Sequence, residues 1–368
     1  MLDIVIVMIC FVLSAVIPQA LYFILPILFF YTLWLQESLS INRVVRIYIG
    51  ILIVVFIFLI VHIFSHQSIE YIFLKGFLRY FSYATFALYL ARLSARDILI
   101  IFQMISVLVI LTLPLTIYQF FIFDRGAGIF MHANHFAYVL VISIVFLLKT
   151  KASFVKLILF FGLFSALIMT NTTGGFLTFV AVLLHHYQNK IKSSYIKMPI
   201  IAFVLFFIVI GFSFSDKIIE QISSLQYLDW TFIKEKALKA HPGGYGSFMW
   251  RIIYWTQILI AFFENTFIII FTGEGIDSLT KANRDMYSFL YTDPHNDFVK
   301  ILVEYGVLGF SLFTFLLYRF YSFLGKRMDI LLILLIPLFF DNMVVNWSYN
   351  IVFLLYLTYF YKVYIPKR

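Results

Sequence analysis

Mainly apolar runs, each about as long as a membrane-spanning helix, follow one another along almost the whole of this chain. A helix crosses a bilayer with roughly 17–25 such residues. Runs of that kind lie near 2–17, 20–35, 44–64, 71–91, 98–123, 135–148, 154–170, 174–187, 198–214, 297–318, 329–345 and 347–364. Composition agrees, with 63% hydrophobic and 12% charged residues and a mean hydropathy of +0.99. A soluble domain carries about 25% charged residues. A water-soluble fold of 368 residues could not hide so much apolar surface. The expected fold is an all-α integral membrane protein, a single polytopic domain over 1–368 with about 12 transmembrane helices and one large outer loop, 215–296.

The net charge of +9 suggests nucleic acid at first sight, but the basic residues follow topology instead. With the N-terminus in the cytoplasm, the inner connections hold Arg43, Arg46, Arg92, Arg96, Lys149, Lys151, Lys156, Lys190, Lys192, Lys197, Arg319, Lys326, Arg327, Lys362, Lys367 and Arg368. The short outer connections hold only Arg125. That is the positive-inside pattern, and it places both termini in the cytoplasm. The apolar stretch 252–271 is kept outside this count as an amphipathic or re-entrant element, because a crossing there would turn the last basic clusters outward. Asp3 stands where a signal peptide would be basic, so the first run reads as a retained helix. Cys10 has no second cysteine to pair with.

The polar residues gather on the predicted outer face. In the long loop, Ser247 reads as a cap for a helix beginning Phe248-Met249-Trp250-Arg251. Arg251 and Trp255 share its face at a spacing of four. That pair suits a phosphate or a sugar ring, and it equally suits an interfacial helix whose Arg snorkels. Gly273-Glu274-Gly275 reads as a tight turn where backbone approaches something closely. Arg284 follows. The loop ends in the polar island Asp293-Pro294-His295-Asn296-Asp297, where Asn296 or Asp297 caps the next span. Lys300 and Glu304, four apart, can pair inside that span, and Gly306 and Gly309 read as a helix-packing face. Earlier, Lys75 and Arg79 lie on one stripe of the fourth run with Tyr71 and Tyr83, which favours an anion site over a lone snorkelling cation. Arg125, His132, Asn134, His135 and the hairpin Asn171-Thr172-Thr173-Gly174-Gly175 fall on the same face.

Taken in order, His295-Asn296, nine residues, Gly306, two residues and Gly309 resemble the signature of the O-antigen ligase and O-antigen polymerase superfamily. Arg251 with Trp255, and then Gly273 and Gly275, resemble elements upstream of that signature. Asn134-His135-Phe136-Ala137 and Asp341-Asn342 add to the likeness. The hairpin at Asn171 departs from it, lacking the Ser-Arg-Gly of other members.

The resemblance implies a multi-pass glycosyltransferase of the bacterial inner membrane. Its substrate would be an undecaprenyl-diphosphate-linked oligosaccharide, with no nucleotide sugar, no cofactor and no metal. Arg251, Arg79 and Arg125 would hold the donor diphosphate, with Lys75, Trp255, Arg284, Asn296 and Asp297 as further substrate-binding residues. His295 would take the acceptor proton, oriented by Asn296 or Asp297, in a single inverting displacement. The branch expected is the repeat-unit polymerase, with a chain-length regulator as a further partner and no nucleic acid. The alternatives are a ligase transferring the glycan to lipid A-core and, from another class, a flippase or transporter of lipid-linked glycan.

Overall fold

The computed structural model describes residues 2–34, 71–149, 154–190, 229–238, 246–276, 278–279, 294–325 and 327–364. Every regular element among them is helical. They are α1 (Leu2–Val16), α2 (Leu21–Trp34), α3 (Tyr71–Arg92), α4 (Ala95–Leu111), α5 (Leu113–Phe123), α6 (Ala133–Leu148), α7 (Phe154–Met169), α8 (Thr173–Lys190), α9 (Trp230–Leu238), α10 (Gly246–Phe263), α11 (Phe267–Thr272), α12 (Asp297–Phe323), α13 (Met328–Phe340) and α14 (Trp347–Tyr364). Helices occupy ten of the twelve expected segments. The other two, 44–64 and 198–214, lie outside the described residues, as does Arg284.

By length and composition, Asp297–Phe323 is long and apolar enough to cross a membrane. Leu78–Arg92 and Ala95–Leu111, bent by 119°, would add one more if they form a single broken span. Further apolar helices, among them Leu2–Val16, Ala133–Leu148, Phe154–Met169 and Met328–Phe340, are shorter, at 10–17 residues. Twelve crossings remain the proposal of the sequence.

The core centres on α6 and α14. Nearly every residue of α6 from Phe136 to Leu147 is buried, as a helix apolar on all sides must be. Around this pair pack α1, α3, α4, α7 and α8, and α13 lies against α8. One end is fastened by an ion pair between Lys149, at the end of α6, and Asp329, at the start of α13. The Lys149 ammonium also lies 5.2 Å from the ring centre of Tyr356 on α14. These contacts fix α6 and α13 as antiparallel, so the end of α13 and the start of α6 and α14 meet at the opposite end.

Three boundaries differ from the sequence expectation. The run 98–123 is divided at Thr112, where Pro114 opens the second helix without an N–H to donate. The run 329–345 is helical only to Phe340, and residues 341–346 form a non-helical connection. The third concerns Gly306, which was expected on a packing face. It breaks α12, with φ 66° and ψ −174°.

The break is stabilised from outside the helix. In an unbroken helix the Val303 and Glu304 carbonyls would accept from N–H groups four residues on. Here they accept from Glu274 N–H and Gly275 N–H, both at 2.9 Å. The Gly273-Glu274-Gly275 turn therefore docks on the backbone of α12. A Cβ on Gly273 would lie 2.5 Å from the Gly306 nitrogen, so the approach requires glycine. Above the break, Val299 and Val303 pack with Tyr254, Ile258 and Phe262 of α10. The segment 252–271 is thus two helices, α10 and α11, folded against α12.

Candidate active site

The residues that meet at the end where α6 and α14 start come from α10 and from four connecting stretches far apart in sequence. The first is the turn before α12. His295 there has φ +50°, a left-handed backbone that a histidine rarely adopts. Such strain persists only where the surroundings hold it, and it concentrates at functional sites. Asn296 is the N-cap, its side-chain oxygen accepting from Phe298 N–H (2.9 Å) and Val299 N–H (3.1 Å). The indole N–H of Trp255 donates to the Pro294 carbonyl at 2.6 Å, while its ring packs edge-on against Phe339 at 5.5 Å. Trp255 thereby ties α10 to the turn that carries His295. The Trp250 ring lies 6.4 Å from the imidazole.

The second stretch is the connection 341–346. Asp341 Oδ1 lies 3.1 Å from His295 Nδ1 and accepts from Asn342 N–H at 2.9 Å. Asp341 is 3% exposed. Its Oδ2 has no hydrogen-bond partner among the described residues. A carboxylate on Nδ1 fixes the tautomer with the proton on that nitrogen, which leaves Nε2 with the lone pair. The expected orienting residues, Asn296 and Asp297, are occupied elsewhere. Asn296 caps α12, and Asp297 Oδ2 accepts from Val344 N–H at 3.0 Å.

The third stretch is the loop before α6. Arg125 donates from one guanidinium nitrogen to Asn134 Oδ1 at 2.6 Å. Its Nε is buried with no hydrogen-bond partner among the described residues. Burial pushes the Arg125 pKa below its usual value; Arg251 pushes the same way and Asp341 opposes. Arg125, Arg251 and Asp341 therefore lie close enough to feel one another. His132 and His135 stack edge-on at 5.0 Å, and His135 faces the charges of Asp341 and His295. One turn on, Tyr138 interacts with Asp341, Arg251 and Asp297.

The fourth stretch is the hairpin between α7 and α8. Gly126 N–H donates to the Met169 carbonyl at 2.8 Å, and Thr172 Oγ1 to Asn134 Oδ1 at 3.4 Å. The Tyr138 hydroxyl lies against Gly174 so closely that a Cβ there would overlap it.

Of the residues singled out in the sequence, Arg125, Arg251, Trp255, His295, Asn296 and Asp297 come together at this end. Arg79 is buried on α3, its Nε donating to the Tyr22 hydroxyl at 3.3 Å, and Lys75 is exposed one turn away. Lys300 and Glu304 pair at 3.5 Å inside α12. Two residues were not marked as members of the site. Asp341 carried a signal, since a carboxylate and an amide interrupt an apolar run there. Tyr138 carried none, as one tyrosine among 24. Among the described residues, no three His, Cys, Asp or Glu side chains converge as metal ligands.

Residues 157–314 match the family model of the O-antigen ligase. This match supports membership of the O-antigen ligase/polymerase superfamily. The matched stretch is a little under half of the chain and contains Arg251, Gly273, Gly275, His295, Gly306 and Gly309. Membership in this superfamily fits the helical architecture of a bacterial membrane protein and implies lipid-linked glycan substrates. No curated protein matches the chain. The family match ends before Asp341 and begins after Arg125, so it does not bear on either residue.

Proposed function

We propose that this protein is a surface-polysaccharide repeat-unit polymerase of the bacterial inner membrane, with twelve spans and its site on the outer face. It transfers the growing glycan from undecaprenyl diphosphate to the next lipid-linked repeat. The observation that carries this reading is the His295–Asp341 contact at 3.1 Å, at the same end as the guanidinium of Arg125, whose buried Nε has no hydrogen-bond partner among the described residues. A guanidinium with a buried, unused N–H gains from a hydrogen bond to an anion. The donor diphosphate is such an anion.

In the proposed step, Nε2 of His295 takes the proton of the acceptor hydroxyl. The hydroxyl oxygen forms a bond to the donor's anomeric carbon. The bond from that carbon to the diphosphate oxygen breaks, and its electron pair leaves with the diphosphate. Attack opposite the leaving group inverts the anomeric centre. Asp341 stabilises the imidazolium that forms. Arg125 and Arg251 stabilise the charge that develops on the leaving group.

The test is a gene deletion complemented with wild type or His295→Ala, with surface polysaccharide resolved on a gel. Loss of the ladder to a single capped repeat on deletion identifies a polymerase. Loss of the ladder with lipid-linked polymer accumulating identifies a ligase. A normal ladder from His295→Ala would remove His295 as the base. Arg251→Lys keeps charge but not bidentate geometry, and should be nearly as harmful as Arg251→Ala if the phosphate is gripped by two parallel hydrogen bonds.

A further inference from the structure

A polymerase handles two lipid diphosphates at once, and they occupy different places. The donor's diphosphate is the leaving group, so it lies at the reacting carbon. The acceptor's diphosphate stays attached to the far end of its repeat unit. The attacking hydroxyl reaches the base while that diphosphate remains a glycan's length away. A ligase acting on lipid A-core has no second polyprenyl diphosphate to hold.

The first turn of α14 has basic residues on both flanks. On one flank, Trp347 packs edge-on against Tyr22 (5.2 Å) and Tyr83 (4.7 Å). Tyr83 interacts electrostatically with Arg79, one turn away on α3, and Tyr22 accepts from Arg79. On the other flank, Tyr349 packs against Tyr138 (6.2 Å), which faces Arg251 and Asp341. The packing of whole helices agrees, since α14 contacts α3 on one side and α6 on the other. Lys362 near the end of α14 donates to the Ala91 carbonyl at 2.8 Å, so Lys75 and Arg79 lie toward the opposite end, where the site is. Lys75 is exposed and Arg79 is buried beneath it. Val344 joins the flanks, its carbonyl accepting from Tyr83 and its N–H donating to Asp297.

We propose that Lys75 and Arg79 bind the diphosphate of the acceptor, a second polyprenyl-linked glycan, on the flank of α14 opposite the donor. The exposed Lys75 meets the phosphates first, and the buried Arg79, one turn further along α3, anchors them. Cations within apolar helices are costly and mark the path of an anionic ligand. This inference rests on the polymerase reading and divides between two sites the arginines that the sequence assigned to one.

Native mass spectrometry of the full-length protein, titrated with undecaprenyl diphosphate in detergent, tests it. Wild type should bind two equivalents. Lys75→Glu, at an exposed position, should bind one, and Arg251→Gln should bind one. The double variant should bind none. Arg79→Lys, which keeps the buried charge, guards against misfolding and should weaken one equivalent only. A single equivalent in wild type, lost in Arg251→Gln and kept in Lys75→Glu, overturns the second site and leaves the polymerase reading standing. No binding in wild type overturns both. Displacement of the Lys75-dependent equivalent by phosphatidylglycerol makes the site one for phospholipid headgroups and overturns the acceptor assignment.

Discussion

Gly273 and Gly306 meet backbone against backbone. Both have positive φ, 88° and 66°, and a Cβ on Gly306 would lie 2.5 Å from the Gly273 nitrogen. Gly306→Ala and Gly273→Ala each impose backbone strain on the order of 1–3 kcal/mol, before any steric overlap is counted. Thermal unfolding of the detergent-solubilised protein should show a clear loss of stability for either. Unchanged melting would mean that the turn and the broken helix do not depend on each other.

Asp341→Asn keeps the size of the side chain but removes the charge that stabilises the imidazolium, and its NH2 group can turn to favour the other tautomer. Turnover should fall by about 10²–10⁴-fold, as for other histidines that lose their carboxylate, with folding unchanged. An in vitro assay on lipid-linked repeats measures this. Near-normal turnover would reduce Asp341 to a structural partner of the 341–346 connection.

Gly174→Ala places a methyl group against the Tyr138 hydroxyl and 3.1 Å from Phe340 Cβ. Overpacking of this kind costs about 1–3 kcal/mol. Tyr138→Phe removes the oxygen that the methyl would strike. The double variant should therefore melt higher than Gly174→Ala alone. If it melts no higher, the contact that excludes a side chain at Gly174 is not Tyr138.

Glu274 is held above the usual carboxylate range by burial, with Asn265 opposing as it donates to the carboxylate at 3.1 Å. A group whose folded pKa is raised binds more protons folded than unfolded. Stability therefore falls as pH rises from the ordinary glutamate pKa through the folded value. Wild type should lose melting temperature across that window, and Glu274→Gln should flatten the slope. A slope unchanged in the variant would assign it to another group.

Local pattern was legible where the interaction is local. The four-residue spacing of Lys300 and Glu304 fixed their pairing, and the continuous apolar run of α6 placed it in the core. The close approach announced by Gly273 and Gly275 was also readable, though not its target, the carbonyls of Val303 and Glu304. Non-local partners left no trace in spacing. Asp341 reaches His295 across 46 residues, so proximity in sequence pointed to Asn296 and Asp297 instead. Gly306 was read as a packing glycine because its left-handed φ depends on a turn contributed from elsewhere. Whether Arg79 shares a site with Arg251 depends on which helix lies between them, and the order of helices around α14 is a tertiary property.

The discontinuity at Gly306 has a mechanical meaning as well. Bilayers differ in thickness, and an intact helix answers a mismatch by tilting along its full length. A helix interrupted at one glycine is not obliged to move as one rod. The portion before Gly306 is held by α10 and by the Gly273 turn, so its tilt is set by those contacts and need not equal that of the portion after it. The turn at His295 opens the held portion, so its position answers to α10 and the Gly273 turn before it answers to the bilayer.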